Sequence, residues 1–567
     1  MADTKRLFTP WGEQYKSENW QVYPRPQMKR DSYYCLNGQW DFCVADEGVT
    51  PLFNQKIEVP FAPQSILSGV EQAFDEDKIL FYRKEFSLPD NFNKGRVLLH
   101  FGAVDQIARV YLNGNFIGSH TGGYDAFCFD ITQHLADKNA LIVEVVDRLS
   151  SYTLPYGKQC KKRGGMWYTE VSGIWQTVWI ESVPQNYIKG LKIDADDRSV
   201  TITAEGIETG VVIIGDVSLP ICEGKATYIP ESPELWSPEH PHLYNFKVQS
   251  GEDCVESYFA MRKLEIKEVE GYPRLCLNGK PYFFHGLLDQ GYYSDGIYTP
   301  ASPQAYEFDI MKMKALGFNM LRKHIKVEPE QFYYDCDRLG MVVFQDMVNN
   351  GRYSFFRDTA LPTIFGGKLN LNDKKLNKDA ETRSQFAMGM VKTVNQLYNH
   401  PCICYWTIFN EGWGQFCADE MYDRLKELDQ SRFIDSASGW FGGVKSDVDS
   451  RHVYFRKLKL SCKDKPLILS EFGGYSYKDN DHAFNTEQTY GYGKFDSREK
   501  FKDAFVDLYE NQVMPLVKKG LSAAVYTQVS DVEDETNGLL SYDRKVEKIL
   551  PEEFEGVSAK ITQQTID

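Results

Sequence analysis

The stretch Tyr405–Phe416, YWTIFNEGWGQF, decides how the chain is read. Aromatic and β-branched residues in an unbroken run make a buried strand, yet this one ends on Asn410 and Glu411, followed by Gly412, Trp413 and Gly414. A single glutamate after a strand is ordinary, either a solvated end or the first residue of a helix. Its meaning depends on whether other strands end in the same way.

They do. Working outward from Tyr405, helical FAMGMVKTVNQLYNH precedes this strand, and helical DEMYDRLKELDQS separates it from RFIDSAS. Upstream, Ser302 and Pro303 open a helix with Tyr306, Ile310 and Met313 on one face; it stops at Gly317 and is followed at once by FNMLRK. The pattern continues through PEQFYYDCDRLG and MVVFQD. Downstream come PLILSEFGG, the helical REKFKDAFVDLYENQVMPLVKKG and SAAVYTQVSD. With YFFHGLL at the start and RHVYF between, eight strand candidates alternate with helices, the pattern of a (β/α)8 barrel. An open doubly wound sheet is the alternative, but no glycine-rich phosphate turn follows the first strand.

In such a barrel the C-terminal strand ends surround the active site. The expected ends are Asp289, Arg322 with His324, Asp346, Asn410 with Glu411, Tyr454, Glu471, and Gln528 with Asp531. Glu411 and Glu471 stand out, each followed by glycine and aromatic residues (NEGWG, SEFGGY). Two carboxylates about 5 Å apart can cleave a glycosidic bond with retention, one attacking carbon while the other protonates the leaving oxygen. The plain alternative is two strand-end glutamates bonded to neighbouring arginine or lysine.

Before the barrel the chain reads as all β. RVLLHFG, ARVYLNGNFIGSH and ALIVEVVD are separated by Asn-Gly and Gly-Gly turns, and GIWQTVWIE closes the segment. Shorter strands follow (SVTITA, GVVIIGDVSL, LYNFKVQS), with a proline-rich stretch at PESPELWSPEHPHLY. Three domains result: a β-sandwich over 1–183, a smaller immunoglobulin-like sandwich over 184–267, and the barrel over 268–567.

The 567 residues carry a formal net charge of -16, which argues against a nucleic-acid backbone as main partner; the basic run Lys161–Arg163 is local. The N-terminus has no signal-peptide core and no apolar run is long enough to span a bilayer, so a cytoplasmic protein with no membrane partner is expected. The 12 cysteines are scattered. Cys402 and Cys404 lack a second pair or a nearby histidine and read as buried thiols, so no metal site is expected.

Over nearly the whole chain, LNGQWDF from Leu36, VPFAPQS from Val59, YRKEF from Tyr82, HFGAVD from His100, VYLNGNFIGSHTGGYDAF, SGIWQTVWIE from Ser172, the Asn410-Glu411 pair and SEFGG stand in an order that resembles glycoside hydrolase family 2. That family holds β-galactosidases, β-glucuronidases and β-mannosidases. The resemblance implies a jelly-roll sandwich, an immunoglobulin-like domain and a catalytic (β/α)8 TIM barrel. It implies that Glu411 is the general acid/base, Glu471 the nucleophile, and Asn410 the amide bonding the sugar 2-hydroxyl. Tyr454 matches the tyrosine that bonds the nucleophile and Arg322 the arginine beneath it, a cation that keeps Glu471 ionised. Trp413 and Trp440 read as sugar platforms or rim packing. Asp289, Asp346 and Gln528 complete the expected sugar-binding set, and His324 is either a pocket or a packed histidine.

The stretch corresponding to the glucuronidases' Asn-x-Lys motif resembles DETNGLL, Asp534–Leu540, and has no lysine. Metal ligands of the large galactosidases are not matched. Gln528, Asp531 and Glu533 are expected near the pocket, where acidic groups would bond hydroxyls of a neutral sugar. The expectation is therefore a cofactor-free, retaining, β-galactosidase-like exo-glycosidase with a carbohydrate substrate, and possible homo-oligomers by family habit. Alternatives are a β-mannoside, β-glucoside, α-L-arabinopyranoside or β-glucuronide as substrate, a transglycosylase, or a non-catalytic carbohydrate-binding protein. Two long segments, from Gly351 to about Arg383 and from Gly473 to Phe495, would shape the leaving-group side.

Overall fold

Alternating burial along the first segment folds it into two facing sheets. In Asn139–Val146 every second residue is buried, and this strand lies inside a six-stranded antiparallel sheet that also holds Gly38–Asp46 and Lys78–Phe86. The opposing four-stranded sheet contains Tyr33–Cys35, Arg96–Phe101, Phe127–Asp130 and Val178–Val183. Phe42, Tyr82, Leu99, Val110, Val143 and Ile180 meet between them. The computed structural model describes residues 4–360, 369–370, 372–442 and 444–563.

The second sandwich is one seven-stranded antiparallel ladder from Gly190–Ala195 to Asp253–Phe259, folded round Ile202, Val212, Phe246 and Val248. Arg30 fastens the two sandwiches together. It bonds both Asp253 oxygens at 2.9 Å and reaches Glu181 at 3.3 Å, while Arg25 grips Glu181 at 2.8 and 2.7 Å. Arg262 then donates to the carbonyls of Pro401 and Ile403 at 2.6 and 2.7 Å, tying the second sandwich to the base of a barrel strand.

The barrel strands are β1 Phe284–Asp289, β2 Met320–Lys323, β3 Val342–Asp346, β4 Ile403–Asn410, β5 Phe433–Ser438, β6 Asp449–Val453, β7 Leu467–Phe472 and β8 Leu521–Tyr526. All neighbouring pairs in the order β5-β4-β3-β2-β1-β8-β7-β6 are parallel. Every residue of β4 is buried, which is why the stretch that opens the sequence reading is so apolar. Two features depart from a regular alternation. No helix lies among the described residues between β5 and β6, nor between β6 and β7; SGWFGGVKSDV is glycine-rich and too short for a helical crossover. The ladder is also open between β5 and β6, where side chains bridge the gap: Ser438 Oγ meets Ser450 Oγ at 3.2 Å and His452 Nε2 at 3.0 Å.

Between its last strands the first sandwich sends a long strap, from Leu149 to Trp175, over the barrel mouth. Within it Gln159–Cys160 pairs in parallel with Tyr168–Thr169. The amides of Tyr156 and Gly157 donate to Asn349 O at 3.0 and 3.3 Å. Gly157 takes φ +65° with Ile325 O 2.8 Å from where a Cβ would stand, so only glycine permits this approach. The segment from Gly351 to about Arg383 lies partly outside the described residues. In the segment from Gly473, Tyr475–Tyr477 pairs with Gly493–Phe495 and brings Tyr492 onto Tyr454, rings 3.9 Å apart. Among the described residues no helix is long and apolar enough to cross a membrane.

Candidate active site

Strands β4 and β7 bring Glu411 and Glu471 together: with His452 between them, oxygens of both carboxylates and a ring nitrogen lie within 4.8 Å of one another. Glu471, at 5% exposure, accepts from Arg322 Nη1 at 3.1 Å and from Tyr454 OH at 2.7 Å. Burial pushes the Glu471 carboxyl up, but the charge fields of His452, Arg322 and His324 and the Tyr454 hydrogen bond outweigh it and bring it down to about 2. Among the described residues Glu411 has no arginine partner; its Oε1 lies 2.8 Å from His452 Nδ1. Its backbone is left-handed, φ 54°, a costly conformation for a residue with a Cβ and one that β4 must impose to aim the side chain.

Arg322, 1% exposed, organises the floor. Its Nε donates to Asp346 Oδ1 at 3.0 Å and its Nη2 to Asn410 Oδ1 at 2.9 Å, which turns the Asn410 amide so that its NH2 is left to donate elsewhere. Asp346 Oδ2 lies 2.7 Å from His324 Nδ1. Burial lowers the His324 imidazole to about 4, so it is neutral at pH 7, with Nδ1–H donating to Asp346 and Nε2 left as an acceptor.

Other expected site residues have different tasks. Trp440 is half-buried, its ring edge-on to His452 at 5.3 Å and its Nε1 on Asp358 O. Trp413 is 3% exposed and walled in by Tyr156, Trp167 and Tyr353, so it builds the pocket side instead of offering an open face. Asp289 engages Lys323 at 2.6 Å and the Gly291 amide at 2.9 Å, inside a buried network that includes Glu328 and Lys326. Gln528 is fully buried among Gln290, Glu535 and Asn537, which removes it from contact with a sugar. The acidic loop after β8 also differs from expectation. Asp531 pairs with Lys548 at 2.6 Å, and Glu533 accepts from the Thr169 amide of the strap at 2.9 Å. Glu535 accepts from the Tyr168 hydroxyl of the strap and from Gln528 Nε2 at 3.3 Å.

Sequence reasoning missed three residues. His452 was hidden in a short strand, although a histidine two residues before the expected site residue Tyr454 lies on the same strand face. Glu535 was visible only as one acid among several. Lys158 lies in the strap, outside the barrel in sequence, and no local signal marks it. Elsewhere, Glu234, His240 and His242 meet on an exposed turn, where the two rings bracket one carboxylate oxygen at 3.1 and 3.4 Å.

The buried carboxyls also set the response to pH. Burial raises Asp105 and Glu533 to about 7, whereas Glu181 is held near 2 because Arg25, His100 and Arg30 outweigh its burial. The raised pair contribute stability that is full below pH 4 and is lost as pH rises through 7. Glu181 and Glu471 contribute stability that is full above pH 4.5 and is lost as pH falls toward 2. The melting temperature is therefore expected to peak near about pH 5. In Glu533→Gln the decline between pH 5 and 8 should be shallower in a calorimetric pH series; an unchanged slope would remove Glu533 from the account.

Family models place this architecture. Residues 268–548 match the TIM barrel domain of glycosyl hydrolases family 2, residues 51–167 the glycosyl hydrolase 2 galactose-binding domain-like model, and residues 188–262 the third model, described as glycosyl hydrolases family 2. The chain belongs to glycoside hydrolase family 2. It is 26% identical over 463 residues to a β-galactosidase of Thermoanaerobacter pseudethanolicus, covering 74% of this chain and 57% of that protein. It is also 26% identical over 458 residues to a putative β-glucuronidase of Formosa agariphila, covering 70% of this chain and 50% of that protein. The chain thus spans about half the length of these curated relatives. Among solved structures, a β-glucuronidase from an uncultured Clostridium sp. superposes with a TM-score of 0.72 at 17% identity, over 96% of this chain and 99% of that one. A β-galacturonidase from Eisenbergiella tayi bound to galacturonate gives 0.69 at 18% identity, over 95% and 99%. These likenesses describe the shared fold.

Proposed function

We propose that this protein is a retaining exo-β-glycosidase that removes a terminal sugar by double displacement, with Glu471 as nucleophile and Glu411 as acid/base. The observation that carries the reading is the pair of carboxylates with an oxygen of each within 4.8 Å of the other, one of them fixed as an anion by Arg322 and Tyr454. A separation near 5 Å suits direct attack, whereas an inverting pair needs room for a water, about 6.5–9.5 Å.

Glu471 attacks the anomeric carbon as Glu411 gives its proton to the departing oxygen. In the second half Glu411 takes a proton from water, which displaces Glu471 from the sugar. His452 sits between the two and orients Glu411. The Asn410 NH2, turned by Arg322, donates to the sugar 2-hydroxyl, a bond that strengthens as the ring gains oxocarbenium character.

The strap and the loop from Gly473 narrow the mouth of the barrel, which favours a chain end over an internal sugar. For the sugar itself a β-galactoside-like, uncharged glycone is the leading reading, since the stretch Asp531–Leu540 carries four acids and no lysine to hold a sugar carboxylate. Relatives named β-glucuronidase supply the competing reading, a uronide.

A panel of nitrophenyl β-galactoside, β-glucoside, β-mannoside, β-glucuronide and α-L-arabinopyranoside decides between them. One neutral glycoside should be cleaved in preference to the rest. A matching 2-deoxy-2-fluoroglycoside should leave a covalent sugar on the peptide containing Glu471, detected by mass spectrometry. A label on another residue, or product of inverted configuration by NMR, would refute the mechanism.

A further inference from the structure

Double displacement accounts for Glu411, Glu471 and the groups that hold them, but not for Lys158 or Glu535. Lys158 arrives on the strap. Its carbonyl accepts from the Tyr168 amide at 3.0 Å, and its ammonium lies 5.8 Å from the Trp167 ring. Among the described residues this ammonium has no hydrogen-bond or ion-pair partner, although the side chain is half-buried. An ammonium so placed has its three donors uncommitted and open to a ligand.

Glu535 is 4% exposed and lies in the loop after β8, in contact with the strap that carries Lys158. Its main chain is pinned by reciprocal bonds with Val532 at 3.0 and 2.9 Å. One oxygen, Oε2, accepts from the Tyr168 hydroxyl and from Gln528 Nε2 at 3.3 Å, leaving Oε1 without a donor among the described residues. Tyr168 thus links the two: its main chain pairs beside Lys158 and its side chain ends on Glu535. Both lie within electrostatic reach of the catalytic site. Lys158 acts on the proton affinities of both His324 and Glu535, Glu471 acts on Glu535, and Tyr492 feels Glu411, Glu535 and Glu471 together.

Position in the barrel says which part of a sugar they meet. Strand β8, which leads into Glu535, stands four strands from β4, which carries Glu411, so the two face each other across an eight-stranded ring. A glycone whose leaving oxygen sits at Glu411 turns its opposite edge toward Glu535. There Lys158 offers donors only and an ionised Glu535 acceptors only, while a hydroxyl is both at once. The charges oppose an anion: Arg322 is committed to Asp346 and Glu471, so Lys158 is the remaining described cation against the Glu535 carboxyl.

Resting on the glycosidase reading above, we propose that Lys158 and Glu535 form a donor–acceptor pair that selects an uncharged glycone through a hydroxyl on the ring edge remote from the scissile bond. The strap of the first sandwich is then part of the specificity site.

The test measures kcat/KM for wild type, Lys158→Met, Lys158→Arg, Glu535→Gln and the double variant on the glycoside cleaved best, on its analogues lacking the 4- or 6-hydroxyl, and on the uronide. Each single loss should cost about 10- to 100-fold, the size of a hydrogen bond to a charged group. The double variant should lose less than the product of the two, Lys158→Arg should recover part, and one deoxy analogue should be insensitive to both changes. Variants within threefold of wild type on every substrate would overturn the proposal. So would a wild type that prefers the uronide and loses it in Lys158→Met, because Lys158 would then clamp a carboxylate. If no glycoside is cleaved, the catalytic reading fails separately, and sugar binding still tests the pair. Galactose and galacturonate are titrated against wild type and Lys158→Met by calorimetry. Tighter binding of galactose that weakens in the variant supports the pair, and equal affinities, or no binding to wild type, reject it.

Discussion

Glu471→Gln is expected to lower kcat by at least about 10⁴-fold, equivalent to about 5.5 kcal/mol of lost transition-state stabilisation, because the amide has the shape of the carboxylate but no negative charge to offer the anomeric carbon. The fold should survive, since the amide oxygen still accepts from Arg322, the NH2 can donate to the Tyr454 oxygen while the Tyr454 hydroxyl turns to Thr527, and Asp346 still balances the arginine. Smaller variants give a sharper test. In Glu471→Gly, azide entering the space left by the side chain attacks from that side and yields the α-glycosyl azide. In Glu411→Gly, azide intercepts the glycosyl enzyme from the opposite face and yields the β-azide. Reversed products would exchange the two roles, and absence of rescue in both variants, with wild type active, would mean that neither residue has the role assigned to it.

Arg322→Met should have the largest effect on stability of any single change in the site. The guanidinium is the shared partner of Asp346, Glu471 and Asn410, and it also bonds the Ser470 carbonyl at 2.9 Å. Its removal leaves two buried carboxylates without their cation, a cost of about 3–5 kcal/mol. Denaturant unfolding should register that loss. Activity should fall by at least about 10²-fold, through an unsupported nucleophile and a misoriented Asn410. With the cation gone, only His452, His324 and Tyr454 oppose the burial of Glu471, so the acid limb of kcat/KM should move up toward neutral pH. A limb that does not move would show that Arg322 does not govern Glu471. Arg322→Lys keeps the charge but not the fork that serves three partners, and should fall between the two.

The barrel was readable because its strands are apolar until their last residues, so the period of the pattern and the chemistry of the strand ends point the same way. Glu411, Glu471, Asn410, Tyr454 and Arg322 lie on or next to those ends, and their positions followed from the pattern together with the resemblance. What escaped was geometry that no local pattern encodes. Gln528 ends a strand like the others, but its side chain is drawn into a buried amide cluster. Asp531 and Glu533 look like pocket acids, yet Lys548 and the Thr169 amide claim them, leaving Glu535. Lys158 belongs to a sandwich in sequence and to a barrel in space. Among the described residues the alternating helices are missing around β6, where glycine and serine make the connections and side chains close the wall.

The strap that crosses from the first sandwich has a consequence for how such a protein can change over time. Thr169 and Tyr168 lie on one module, and Glu533 and Glu535, to which they are bonded, lie on another encoded more than 360 positions later. Recombination that swaps the sandwich alone replaces one half of each pair, as does one that swaps the barrel. The Tyr168–Glu535 bond therefore couples the two modules through side chains, so a change at either residue bears on the other.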